Sequence, residues 1–131
     1  MSAAIPLIGS GVASTPRPDS TKHNHHYIGP TMFIVILDYA QPLSAIETHL
    51  EAHRRFLDHH YATGRFLASG PQNPRTGGVI LAKGSSRKEL DEVLAEDPFY
   101  REQVARYRIV EFEPNKFGAG VQSIFLAPLV A

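Results

Sequence analysis

The residue type whose clustering most suggests chemistry is histidine. The stretch "HLEAHRRFLDHH" carries His49, His53, His59 and His60. A free imidazole titrates near pH ~6.5, so it can take up or release a proton near neutrality. His53 is the most informative of the four. Ile46, Leu50, His53 and Leu57 recur at spacings of four, three and four, which draws one stripe along a helix. An imidazole on such a stripe is half-buried and needs a partner. It is either a satisfied core histidine bonded to a backbone carbonyl, or an acid–base group poised by a carboxylate. His49 stands four residues earlier, a spacing that can hold a metal on one helix face. No third ligand is obvious, so no metal is expected. His59 and His60 read as a wet face, or as the positive end favoured by the helix dipole.

The second candidate is Asp97, in "LAEDPFYR". Before Pro98 the chain is pushed out of the helical region, so one helix ends near Glu96. Asp97 then suits the N-cap of a short helix with Pro98 in its first position. The cap reading does not exclude a chemical one. If two helices run antiparallel on one face of a sheet, the end of the second approaches the first half of the first. A carboxylate there can orient an imidazole, as in any His–Asp pair. The fold alone does not choose between His49 and His53, which lie ~6 Å apart along a helix. Small groups follow in "ASGP" (68–71), where Ser69 can donate a hydrogen bond, Gly70 lets a ligand approach and Pro71 ends the strand. Arg54, Arg55 and Arg75 are candidates for holding an anionic substrate. Arg75 is the best of them, because it sits in the "PQNPRTGG" loop beside the expected pocket.

The elements that must position these residues follow from patterning. "MFIVILDY" (32–39) is continuous, β-branched and aromatic, and predicts a central strand buried on both faces. Ser44 and Glu47 form a capping box that opens a helix running to about Thr63, closed by Gly64. "RFLASG" (65–70) and "GGVILAKG" (77–84) predict two strands able to pair as a hairpin. Ser86 and Glu89 form a second capping box, and Leu90, Val93 and Leu94 give that helix its buried face. "RYRIVEFEP" (106–114) alternates as a fourth strand. The order β-α-β-β-α-β predicts an α+β, ferredoxin-like fold: a four-stranded antiparallel sheet with both helices on one face. The other sheet face would be left open, so a homodimer built sheet against sheet is expected.

Composition narrows the function. The chain has 131 residues, 43% of them apolar, with thirteen basic and thirteen acidic side chains. That predicts one globular domain without a field for nucleic acid or an anionic membrane. There is no cysteine, which removes thiolate catalysis and suits a cytoplasmic setting. No apolar run approaches the roughly 20 residues of a membrane helix. Residues 1–30 hold four prolines and no periodicity, and read as a disordered or loosely docked tail. His23, His25 and His26 within it are a weak metal candidate. Residues 115–131 are an apolar extension expected to pack on the domain or on a second subunit. There is no Walker loop, dinucleotide fingerprint, HExxH or GxSxG, so no cofactor is expected.

At this point the sequence resembles the YciI (YCII-related) family. The resemblance is carried by His53, by "GRFLASGP" (64–71) eleven residues later, by "GGVILA", by "DPF" (97–99) and by the final strand. It covers residues 31–114. It implies a dimeric α+β barrel akin to muconolactone isomerase, with a His–Asp pair at His53 and Asp97 and Ser69 near them. It also implies a reaction class, since one branch is associated with dehydrochlorination of a chlorinated hydroxyquinol. The expected function is a cofactor-independent lyase, isomerase or dehydrochlorinase acting on a small cyclic or aromatic compound. Catalysis is assigned to His53, Asp97 and Ser69, and substrate binding to His49, Gly70, Pro71 and Arg75. The alternatives are a non-catalytic small-ligand-binding or accessory domain and, more weakly, a cofactor-free monooxygenase.

Overall fold

The structure, a computed structural model, describes residues 29–130. The histidines His23, His25 and His26 lie outside the described residues. The elements run β1 (Thr31–Tyr39), α1 (Leu43–Thr63), β2 (Phe66–Pro71), β3 (Gly77–Gly84), α2 (Arg87–Leu94), α3 (Pro98–Arg101), β4 (Ala105–Phe112) and α4 (Val121–Leu126). The four strands form one antiparallel sheet in the order β2-β3-β1-β4. This is the ferredoxin-like arrangement, in which β1 and β3 are the central strands and β2 and β3 form the expected hairpin.

The core lies between the sheet and the helices. Phe33, Val35 and Leu37 from β1, Ile80 and Ala82 from β3, and Tyr107 from β4 share one sheet face. They pack on Ile46 and Phe56 of α1 and on Leu90, Val93 and Leu94 of α2. The alternation of β1 has one departure from expectation. Ile34 and Ile36, on the opposite face, are only half-buried, so β1 is fully covered on one side within this chain. Gly77 is required by the sheet itself. A Cβ there would lie 1.8 Å from the Leu37 carbonyl oxygen, so no side chain fits.

The helix ends show which local signals prevailed. Ser44 is not the N-cap of α1. Pro42 holds that place in extended conformation, its carbonyl accepting from Ala45 N–H at 2.9 Å and Ile46 N–H at 3.2 Å. The fixed φ of proline starts the helix two residues early and leaves the Ser44–Glu47 box inside it. Gly64 does close the helix, at φ 88°. Ser86 caps α2 as expected, accepting from Glu89 N–H at 3.1 Å. The return arm of the box goes elsewhere: the Glu89 carboxylate accepts from Ser85 N–H at 2.9 Å and from Ser85 Oγ at 3.0 Å. It also meets Arg65 at 3.2 Å. α2 ends at Leu94 and β4 ends at Phe112, each about two residues short of expectation.

The C-terminal extension packs on its own domain. Lys83, buried near the end of β3, donates from Nζ to the carbonyls of Ile124, Phe125 and Ala127 at 3.1, 2.8 and 2.5 Å. These carbonyls lie at the end of α4, where a cation is favoured, and the Ile124 oxygen also accepts from Ala127 N–H at 3.3 Å. Phe125 is fully buried, and Val130 N–H donates to the Thr63 carbonyl at 2.8 Å. No helix among the described residues is long and apolar enough to cross a membrane.

The Ser85 backbone hydrogen bond, helped by Arg65, holds the Glu89 carboxyl below the ordinary glutamate range. The stability it contributes is present above the ordinary glutamate value and is lost as pH falls through the lower folded-state value. Glu89→Gln should therefore lower the melting temperature at neutral pH. The gap between the two proteins should narrow steadily in melts taken below about pH 4. A gap that stays constant down to pH 3 would contradict this account.

Candidate active site

The site is organised around a carboxylate that has no contact with solvent. Asp97 is 0% exposed. It ends the turn after α2 and caps α3, its Oδ1 accepting from Phe99 N–H at 3.0 Å. The same oxygen accepts from His53 Nδ1–H at 2.8 Å. Oδ2 accepts from the Tyr107 hydroxyl at 2.5 Å. Asp97 is thus at once a helix cap and the partner of an imidazole, and the two roles share one oxygen. Three donors from α1, β4 and its own turn offset the cost of burying the charge.

The α1 stripe brings His53 to this position. His53 faces the core beside Phe56, and its ring stacks on Phe99 with centroids 3.9 Å apart and planes 4° from parallel. "DPF" therefore works as a unit. Asp97 supplies the acceptor, Pro98 sets the first helical residue, and Phe99 contributes a backbone N–H and the platform for the imidazole. Because a carboxylate only accepts, the shared proton resides on His53 Nδ1. In the neutral ring that fixes the tautomer and leaves Nε2 with its lone pair. No hydrogen bond from a described residue engages Nε2, and His53 lines a pocket.

That pocket has a volume of about 410 Å³, within the roughly 300–1,000 Å³ of small-molecule sites. Its walls are Leu37, Leu50, Leu57, Ile80 and Phe99, and its polar members include His53, Ser69, Glu47, Arg54 and Arg75. Gly70 and Pro71 line it too, and a Cβ at Gly70 would meet nothing within 4 Å, so the space above it is open. Ser69 Oγ is 2.5 Å from the Tyr61 hydroxyl. If Tyr61 donates, the serine proton is free to turn into the pocket.

The sequence-derived candidates divide clearly. His53, Ser69, Gly70, Pro71 and Arg75 come together around one cavity, with Asp97 directly behind His53. His49 does not join them. It is half-buried on α1 and is not among the pocket-lining residues. Arg55 pairs with Glu51 at 3.3 Å instead. His60 is a correction. It is buried rather than wet, its Nε2 bonded to Glu96 at 2.9 Å, because its ring packs against Phe56 one turn earlier on α1 and against Phe66 of β2. Among the described residues no group of three or more histidines and carboxylates is placed to hold a metal.

Sequence reasoning missed Tyr107 and the ring of Phe99. A signal existed for Tyr107. It holds an inward position of an alternating strand, where a buried phenol needs a hydrogen-bond partner. Burial, and then the adjacent Asp97 charge, push the Tyr107 phenol well above its ordinary range. Its neutral form therefore contributes stability that is present below the ordinary tyrosine value and lost as pH rises above about 10. Tyr107→Phe removes the donor to Oδ2 inside the core. Urea unfolding should show a loss of about 1–3 kcal/mol. A loss under about 0.5 kcal/mol, in the range of an ordinary surface substitution, would mean that Oδ2 has found another donor.

Comparison with known proteins places these features in a family. No curated protein sequence matches the chain significantly. Among solved structures, it is similar to 5-chloro-2-hydroxyhydroquinone dehydrochlorinase (TftG) from Burkholderia phenoliruptrix AC1100, in complex with 2,5-dihydroxybenzoquinone. The TM-score is 0.55 at 18% identity, over 66% of this chain and 95% of that one. At this identity the likeness concerns the fold. The YCII-related domain matches residues 32–113, from the first residues of β1 to just past β4. The chain belongs to the YCII-related domain family.

Proposed function

We propose that this protein is a small enzyme that uses His53 for acid–base chemistry on a small cyclic or aromatic compound, in the manner of a lyase, isomerase or dehydrochlorinase. The observation that carries the reading is the buried Asp97–His53 pair, with Nε2 left unengaged at an apolar pocket. His53 Nε2 takes a proton from the bound compound, and Asp97 holds the ring in place and offsets the imidazolium charge. Ser69, supported by Tyr61, donates to the oxygen on which negative charge develops. The proton on Nε2 is then returned to another atom of the same compound, or released as a leaving group departs. The reaction needs only a base, a donor and a dry pocket. Membership in the family and the likeness to a dehydrochlorinase both agree with this class of chemistry.

A second reading is favoured by the capping role of Asp97. Its bond to Phe99 N–H would be made in a purely structural site as well. In that case the domain binds a ligand without turning it over, and Asp97→Ala, which removes the cap, lowers stability by at least the ~0.5–2 kcal/mol of a lost cap.

The part of the outer sheet face away from Lys83 and α4 supports a homodimer, the one expected from topology. Val110 and Phe112 on it are 49% and 41% exposed, beside the half-buried Ile34 and Ile36.

The readings separate on turnover. The substrate panel is 5-chloro-2-hydroxyhydroquinone and unchlorinated quinols, followed by chloride release and by exchange of ring protons in D₂O. His53→Ala should reduce the rate about 10²–10⁴-fold with the fold retained. Asp97→Asn should lower kcat more than it raises KM. Full activity in both variants would eliminate His53 as the base.

A further inference from the structure

Apart from Arg106, exposed on β4, the arginines among the described residues fall into two groups. Arg55, Arg65, Arg87 and Arg108 are engaged by carboxylates, and Arg101 donates to the Glu96 carbonyl at 2.7 Å. Arg54 and Arg75 form no ion pair or hydrogen bond with any described residue, and both line the His53 pocket. They come from different elements. Arg54 follows His53 on α1, and Arg75 sits in the loop between β2 and β3. Glu47 also lines the pocket. It lies seven residues before Arg54 on α1, about 10 Å along the axis, so it does not neutralise that guanidinium. The solvent-exposed part of the lining therefore carries two cations without a partner among the described residues and one carboxylate, beside apolar walls.

We propose that the ligand of this pocket is a cyclic compound bearing an anionic group, with that group held at the mouth by Arg54 and Arg75. The proposal rests on reading the pocket as a ligand site and adds the charge of what it takes. Guanidinium groups present forks of donors that match a carboxylate or phenolate. The ring would lie against Phe99, Leu50 and Leu57, which line the space below. In that pose an edge of the ring is turned toward His53, and the acid is kept outside the dry part of the chamber. Glu47 then acts against the anion and limits its affinity, so its removal should strengthen binding.

Calorimetric titration with benzoate and its neutral isostere benzamide at low salt tests the charge preference directly. The wild-type protein should bind benzoate at least about tenfold more tightly than benzamide, each rim arginine contributing about three- to fivefold. Arg54→Gln and Arg75→Gln should each lose that factor for benzoate alone, and the double variant should no longer discriminate. Glu47→Gln should tighten benzoate and leave benzamide unchanged. Arg106→Gln, an exposed arginine on β4 outside the pocket, is the control for net charge and should change neither. Equal affinity for both probes, binding of neither, discrimination that survives the double variant, or a loss in the Arg106 control equal to that of Arg75→Gln would each overturn the proposal. His53→Ala separates this result from the enzymatic reading. It should abolish ring-proton exchange while retaining the preference for benzoate. A protein that prefers benzoate yet never exchanges ring protons upholds the anion site and removes the enzyme.

Discussion

The burial of one carboxylate constrains much of this structure. Asp97 has no water to solvate it, so each acceptor position must find a donor inside the protein. One is the backbone N–H that it caps, one is the Tyr107 hydroxyl from β4, and one is the His53 ring from α1. Each donor fixes the place of a different element. α1 must cross the sheet so that His53 meets the start of α3, and β4 must present Tyr107 inward rather than outward. A one-residue slip of β4 would expose the phenol and orphan Oδ2. The polar centre therefore specifies register, and the apolar core around it supplies the stability.

The same arrangement gives the pocket its chemical character. A histidine held by a solvent-exposed carboxylate would share its proton with water and rotate freely. Here Phe99 stacks on one face of the ring, Phe56 lies near it, and Asp97 holds Nδ1. Only Nε2 is left for a ligand. The pocket opposite is apolar except at its mouth and at Ser69. An isolated lone pair on a rigid ring beside an apolar chamber is well suited to moving one proton with little reorganisation.

Away from the site, a second buried charge does a different job. Lys83 gathers three carbonyls at the end of α4 and ties the C-terminal extension to β3. Burial lowers the Lys83 ammonium from its ordinary range, so the carbonyls act against a real desolvation cost. The family match ends at residue 113, before this strap begins. α4 is thus an addition that completes its own end of the sheet, on the side of Thr63 and Gly64 rather than of His53.

Much of the architecture is written in local pattern. Strand alternation, the Ser86 cap, Gly64 and the Asp97-Pro98 turn are short-range signals, and backbone sterics and side-chain hydrogen bonds enforce them within a few residues. They suffice for the β-α-β-β-α-β order and hence for the sheet topology, because short connections leave few alternatives. Where two local signals competed, the fixed φ of Pro42 displaced the Ser44 cap, and where a distant contact decided, Phe66 and Glu96 buried His60. The histidine of the site was visible as a break in an apolar stripe, and its carboxylate as a cap. What pattern alone did not decide was their meeting. His49 and His53 are equivalent candidates by spacing, and only the rotation and crossing of α1 over the sheet brings one of them to 2.8 Å from Asp97. The sequence determined which groups were present and which elements carried them. The tertiary structure decided which were shielded from water together, because desolvation and hydrogen-bond geometry depend on neighbours far apart in the chain.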